Sequence, residues 1–205
     1  MGLFMALFAS LTASHAASAE IKLLALGDSL VAGYGLDAQD SFPFVLQQRL
    51  VEEGFDAMVI NGGVSGDTSR GGLSRLDWLF ADNPDLMLVE LGANDGLRGL
   101  PPEDTEANLR AILERARDEN LPVILAGMMA PPNLGRDYSE AFNAVYPRLA
   151  AEFDVFFYPF FLDGVAAEMH LNQSDGMHPN ADGVDVIVDR ILPTVVEAIR
   201  SLDAE

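Results

Sequence analysis

With 205 residues, 49% hydrophobic and 21% charged, the chain has the size and composition of one globular domain with a sizeable core, which excludes a disordered or fibrous protein. Its 12 Lys and Arg stand against 32 Asp and Glu, a formal net charge of -20 that repels phosphate backbones and anionic membrane surfaces, so nucleic acid is not an expected partner. There is no cysteine, which removes disulfides, thiolate metal sites and a cysteine nucleophile.

The chain opens with Met1 to Ala19, MGLFMALFASLTASHAASA, an apolar segment that runs into small residues. Ala17-Ser18-Ala19 has the A-x-A arrangement that a signal peptidase accepts, so residues 1–19 read as a signal peptide and the exported, periplasmic or secreted chain starts at Glu20. The segment carries no Lys or Arg ahead of its apolar stretch; if it is not a signal, the protein stays cytoplasmic. Its strongly apolar part stops near Ala13, short of the ~20 residues that span a bilayer. No later segment is long and apolar enough to span a bilayer, and the mature chain is expected to be soluble, without stable membrane insertion.

From Glu20 onward short apolar runs alternate with longer amphipathic ones. Ile21–Leu26, Ala57–Ile60, Leu86–Leu91, Val123–Gly127 and Val155–Tyr158 predict five strands, each apolar on both faces and bounded by Gly, Pro, Asn or Asp. Between them the pattern predicts helices over Phe42–Glu53, Ser69–Ala81, Thr105–Glu119 and Ser139–Glu152. A last helix, about Ala181 to Ser201, closes the chain, with Pro193 expected to kink or split it. Strands buried on both faces and alternating with helices imply a parallel sheet between two helical layers, one α/β domain over residues 20–205.

Such a sheet binds ligands at the carboxyl ends of its strands. The first strand ends in Gly27-Asp28-Ser29, the second in Asn61 and GGVSGDTS, the third in Gly92 and ANDG, the fourth in MMAPPNLGRDY, and near the C-terminus lies DGMHPN, Asp175 to Asn180. Only His15, His170 and His178 are present, and His15 falls in the signal segment. An imidazole that takes a proton from Ser29 is therefore His170 or His178. His178 is favoured: Pro179 biases it to extended backbone in a loop, and Asp175, three residues upstream, can fold back onto Nδ1 and leave Nε2 for the serine. Acyl transfer also needs donors for an oxyanion, and the backbone N–H groups of Ser29 and Gly66 and the side-chain amide of Asn94 are the candidates.

These blocks together resemble the SGNH (GDSL) hydrolase family, most closely its acyl-CoA thioesterase I / lysophospholipase L1 / arylesterase branch. The resemblance rests on GDSL at 27–30, NGGVSGDTS at 61–69, LVELGANDGLRG at 88–99, YSEAFNAVYPRLAAEFDV at 138–155 and DGMHPN at 175–180, and spans nearly all of the chain from Ile21. It implies a flavodoxin-like three-layer α/β/α sandwich with a central, mostly parallel five-stranded sheet. It also implies Ser29 as nucleophile, Gly66 and Asn94 as oxyanion donors beside the Ser29 amide, Asp175 as orienting acid and His178 as base. The implied activity is hydrolysis of small esters or thioesters, from aryl and short to medium acyl esters to lysophospholipids, with no cofactor and no metal. Gly62-Gly63 ahead of Gly66 suggest a loop of extra freedom.

Three other readings are weighed. Within the same fold, carbohydrate O-deacetylation is the alternative substrate class. A flavodoxin-like module could cradle a phosphate or flavin in the first loop, but that loop has no Lys or Arg and Asp28 repels an anion. A metal-dependent phosphoesterase would have to be built on Asp163, His170, Asp175, His178 and Asp182, which lack the spacing of a known ligand set.

Overall fold

Five runs of apolar residues pair as parallel strands in a computed structural model that describes residues 20–202. The signal segment expected over residues 1–19, with its expected cleavage after Ala19, lies outside the described residues. In chain order the elements are β1 (Ile21–Gly27), α1 (Ser29–Ala32), α2 (Phe42–Glu52), β2 (Ala57–Gly63), α3 (Ser69–Ser74), α4 (Leu76–Phe80), β3 (Leu86–Glu90), α5 (Ala93–Leu97), α6 (Pro102–Asp118), β4 (Val123–Ala126), α7 (Arg136–Asn143), α8 (Val145–Phe153), β5 (Phe156–Tyr158) and α9 (Ala181–Leu202). The strands lie in the order β2-β1-β3-β4-β5.

Burial explains the strands. Leu23 to Leu26 in β1 and Leu86 to Val89 in β3 are completely buried, as expected of strands covered on both faces. One layer is built from α2 and α9, which pack on each other; the other from α3, α6 and α8. Each helix turns one stripe to the sheet: in α6 the buried residues are Thr105, Leu109, Ile112, Leu113 and Ala116, spaced by three and four. Every Leu or Ile moved from water into this core contributes roughly 1.5–3 kcal/mol.

Four helical expectations are refined. The helix expected over Ser69–Ala81 is two, broken at Arg75, because the Arg75 guanidinium turns inward to the strand ends. The helix expected over Ser139–Glu152 starts earlier, at Arg136, and breaks at Ala144. Pro147 explains the break, since it cannot donate to the Asn143 carbonyl and its ring crowds that carbonyl. The helix expected from Thr105 starts at Pro102, whose fixed φ suits a first turn. Finally, α9 is not split: it runs from Ala181 to Leu202 through Pro193, held by an almost continuous buried stripe from Val184 to Ile199.

Gly62 and Gly63 belong to β2 and not to a loose loop. They pair with Leu26 and Gly27, and a Cβ on Gly63 would collide with the backbone of Ala32 in α1. Glycine here permits close approach of helix and strand rather than freedom.

Candidate active site

The sheet order places β1 between β2 and β3, so the chain leaves β1 to one side and returns on the other. A crevice opens at that point beyond the strand ends. Ser29 follows β1 and Asn94 follows β3, so the two flank it.

Asp28 turns the chain from strand to helix. Its side chain caps α1, with Oδ1 accepting the N–H of Leu30 at 3.0 Å, and its N–H is anchored below on the Glu90 carboxyl at 3.2 Å. Ser29 thereby becomes the first residue of α1, its Oγ lifted toward the cleft.

His178 reaches Ser29 from the far end of the sequence. Its Nε2 lies 3.0 Å from Ser29 Oγ, and its Nδ1 lies 2.6 Å from Asp175 Oδ2. The carboxylate can only accept, so Nδ1 carries the proton and Nε2 is left to accept from the serine hydroxyl. Asp175 is itself held by its loop: Oδ1 accepts the N–H of Met177 at 2.9 Å and of His178 at 3.0 Å. These backbone donors, with the imidazole N–H, lower the carboxyl to a pKa of about 2.

The loop is closed at its base by an antiparallel bridge between Asn172 and Pro179. Gln173 ties it to the first loop, donating from Nε2 to the carbonyls of Tyr34 and Pro179 at 2.7 and 2.9 Å. The Tyr34 ring lies against the imidazole, centroids 4.6 Å apart. Asn180 then caps α9 by accepting the Gly183 N–H.

Asn94 stands opposite. Its Nδ2 donates one hydrogen to Asp28 Oδ2 at 2.9 Å, which fixes the amide and leaves its second hydrogen free. Burial raises the Asp28 carboxyl above its usual range, opposed by the bonds from Leu30 and Asn94. Gly66 sits in the turn after β2 at φ +83, a conformation that glycine adopts without strain, and its carbonyl accepts from Arg98 Nη2 at 2.8 Å. The N–H groups of Ser29 and Gly66 donate to no acceptor among the described residues.

A cleft of about 300 Å³ lies over these groups, with Ser29, Asn94 and His178 in its wall. Its remaining wall is largely apolar, including Leu97, Met128, Met129, Pro131, Leu162 and Met177. The structure thus brings Ser29, Asn94, Asp175 and His178 together, with Gly66 in the neighbouring turn. Among the described residues it does not bring the weighed metal set together: Asp163 pairs with Arg190 of α9, and the His170 ring projects into solvent beside Glu168.

The supporting residues carry little signal in the sequence. Asp95, almost fully buried, accepts from the Ser69 N–H and hydroxyl at 2.8 and 2.6 Å and from Thr105 Oγ at 3.2 Å, locking α3, α5 and α6 together. Arg75 donates to the carbonyls of Gly62 and Gly27 and to Asp67. For Asp95 the signal is an acid within the Asn94-Asp95-Gly96 turn sequence; Arg75 carries none.

A hydroxyl, an imidazole and a carboxylate in hydrogen-bond sequence, facing free amide donors at the switch point of a parallel sheet, define a serine-type acyl hydrolase. The GDSL-like lipase/acylhydrolase family matches residues 25–186, and the chain belongs to it. It is 43% identical to the esterase TesA of Pseudomonas aeruginosa over 84% of this chain and 87% of that one. To thioesterase 1/protease 1/lysophospholipase L1 of Escherichia coli K12 it is 45% identical, over 89% and 86%. The crystal structure of the esterase EstA from Pseudoalteromonas sp., inhibited by monoethylphosphonate, superposes with a TM-score of 0.83 at 34% identity, covering 87% of this chain and 98% of that one. The protein is a serine hydrolase acting on ester bonds.

Proposed function

We propose that the chain hydrolyses carboxylic esters and thioesters through an acyl-enzyme on Ser29. The observation that carries this reading is the pair of distances across His178, 3.0 Å to the serine hydroxyl and 2.6 Å to Asp175. Ser29 Oγ bonds to the substrate carbonyl carbon while its proton passes to His178 Nε2. The carbonyl electron pair moves onto oxygen, where the N–H groups of Ser29 and Gly66 and the Asn94 amide receive it. Collapse breaks the bond to the alcohol or thiol, which leaves with the proton from Nε2; water, deprotonated at the same nitrogen, then releases the acid.

The apolar wall supports an acyl chain or aryl ring as the group beside the carbonyl. The substrates proposed are aryl esters, short to medium acyl esters and thioesters, and lysophospholipids; the last two accord with the names borne by the Escherichia coli relative. The proposed residence is outside the cytoplasm, as a single domain over 20–205 freed from residues 1–19. No helix among the described residues is long and apolar enough to cross a membrane.

The test is hydrolysis of p-nitrophenyl esters of increasing acyl length by the chain from Glu20, beside Ser29→Ala. The parent turns over with a length optimum, and the mutant, folded by circular dichroism, does not. A mutant with full activity removes Ser29 as nucleophile, and a parent inert at every length turns attention to sugar acetates.

A further inference from the structure

The strand β3 reads Leu-Met-Leu-Val-Glu, and the glutamate at its end is as buried as the four apolar residues before it. A carboxyl in that position is costly and takes no part in the steps above. Its Oε2 accepts the Asp28 N–H at 3.2 Å; its Oε1 has no partner among the described residues. The register that sets Val89 beside Leu26 puts Glu90 beside Gly27, and a Cβ on Gly27 would lie 2.7 Å from Oε2. The carboxyl therefore lies against the peptide that leads into the nucleophile. It does not line the cleft or touch Ser29 or His178, so it is not a group that meets substrate.

We propose that Glu90 is a positioning residue: as a neutral carboxylic acid it anchors the Asp28 peptide, and so holds both the Ser29 amide and the Asp28 carboxylate that aims the Asn94 side chain. The inference rests on the roles given above to Ser29 and Asn94.

Two buried carboxyls share this corner, and the hydrogen bonds decide which carries charge. Asp28 accepts from the Leu30 N–H at 3.0 Å and from the Asn94 amide at 2.9 Å, with His178 nearby. Glu90 has a single donor. The proton therefore belongs on Glu90, and burial together with the neighbouring Asp28 pushes its carboxyl well above the usual carboxylate range. Also facing this corner are the Arg75 guanidinium, which donates to the Gly27 carbonyl, and two neutral phenols: Tyr158, in register through Ala126 with its hydroxyl unpartnered among the described residues, and Tyr146 of α8, which donates to the Leu91 carbonyl. An ionised Glu90 would face the Asp28 carboxylate, while the Arg75 guanidinium on the far side of Gly27 is already engaged by the Gly27 and Gly62 carbonyls and by Asp67.

The experiment compares Glu90→Leu and Glu90→Gln with the parent on one p-nitrophenyl ester, with and without Asn94→Ala. Deleting an oxyanion donor outright costs ~10²–10³-fold in kcat, and misaiming it costs less, so Glu90→Leu is expected to lose about 30-fold in kcat with KM little changed. Glu90→Gln, whose amide oxygen still accepts the Asp28 N–H, restores kcat to within about fivefold. In the Asn94→Ala background the loss from Glu90→Leu shrinks to about fivefold or less, since one of the two donors it positions is gone and only the Ser29 amide remains to be misplaced. Should Glu90→Leu not fold, Glu90→Ser, too short to reach Asp28, takes its place and is read the same way.

A second readout is independent of turnover. A carboxyl raised in the native state binds more protons folded than unfolded, so the parent loses stability as pH rises above ~4.3, and Glu90→Gln does not. The melting temperature of Glu90→Gln is expected to gain on the parent from pH 4 to 7. Full kcat in folded Glu90→Leu, an equal loss in both backgrounds, a Glu90→Gln as poor as the leucine variant, or parallel melting curves each overturn the proposal. Ser29→Ala is assayed in parallel: activity there would remove the nucleophile assignment and this inference with it, whereas an inactive Ser29→Ala beside a fully active Glu90→Leu removes this inference alone.

Discussion

Both oxygens of Asp175 are engaged within its own loop, Oδ1 by two backbone N–H groups and Oδ2 by the imidazole. Three donors on one carboxylate explain why its pKa falls to about 2, and they set two expected outcomes. The first is catalytic: Asp175→Asn keeps the loop but presents an amide to Nδ1, which favours the wrong tautomer, and kcat falls by roughly 10³–10⁴ with the fold intact. The second concerns acid. A carboxyl lowered in the native state stabilises the fold above its unfolded value of ~3.9, and that contribution is lost as pH falls toward 2. Melting curves of the parent and Asp175→Asn should therefore differ at pH 5 and converge near pH 2; a constant difference would deny the carboxylate this role. At the same scale, the serine loop was legible because glycine, acid and hydroxyl follow an apolar run, and His178 because histidine is scarce. Glu90 and Asp95 were not, since a single acid beside a glycine turn reads as solvated surface until burial is known.

Arg75 shows what element patterns omit. Periodicity over 69–81 describes one helix, but the guanidinium at its centre donates to carbonyls at the ends of two strands, Gly27 and Gly62, and pairs with Asp67. Those bonds draw the backbone out of helical geometry and divide α3 from α4. Arg75→Met keeps the stem and removes the donors. Leaving these partly buried acceptors unpaired is expected to cost about 1–3 kcal/mol, read as a lower urea midpoint at constant slope. Strands were legible because burial on both faces makes them uniformly apolar. Helix ends were less so: the break before Pro147 follows from the proline ring, but the passage of α9 through Pro193 does not. A proline inside a helix costs ~3 kcal/mol, and only the tertiary burial of Ile187, Ile191, Val195 and Ile199 offsets it. Local propensity lost to packing there, and packing is not written in a window of residues.

At the level of the molecule the excess of 32 acids over 12 bases leaves the surface repelling itself, although several arginines are paired, among them Arg49 with Asp185 and Asp189. Salt weakens both the repulsion and the pairs, and the imbalance decides the sign. The melting temperature is expected to rise as sodium chloride is raised from ~10 mM to ~0.5 M, within a few Debye lengths of full screening. A fall would mean that the ion pairs outweigh the net charge. The three-layer architecture was legible from alternation alone, and the five-stranded parallel sheet follows it. The strand order was not, because it is fixed by which helix covers which face.

The distance along the chain between Ser29 and His178 has a consequence for the birth of the enzyme. A ribosome releases the nucleophile early, yet the base arrives 149 residues later, three residues behind its acid, and both are oriented only once α9 has docked against α2. Long-range closure of this kind is the slow part of folding. A nascent chain is thus chemically silent, and hydrolytic activity during refolding should emerge with the last docking event rather than with the first secondary structure.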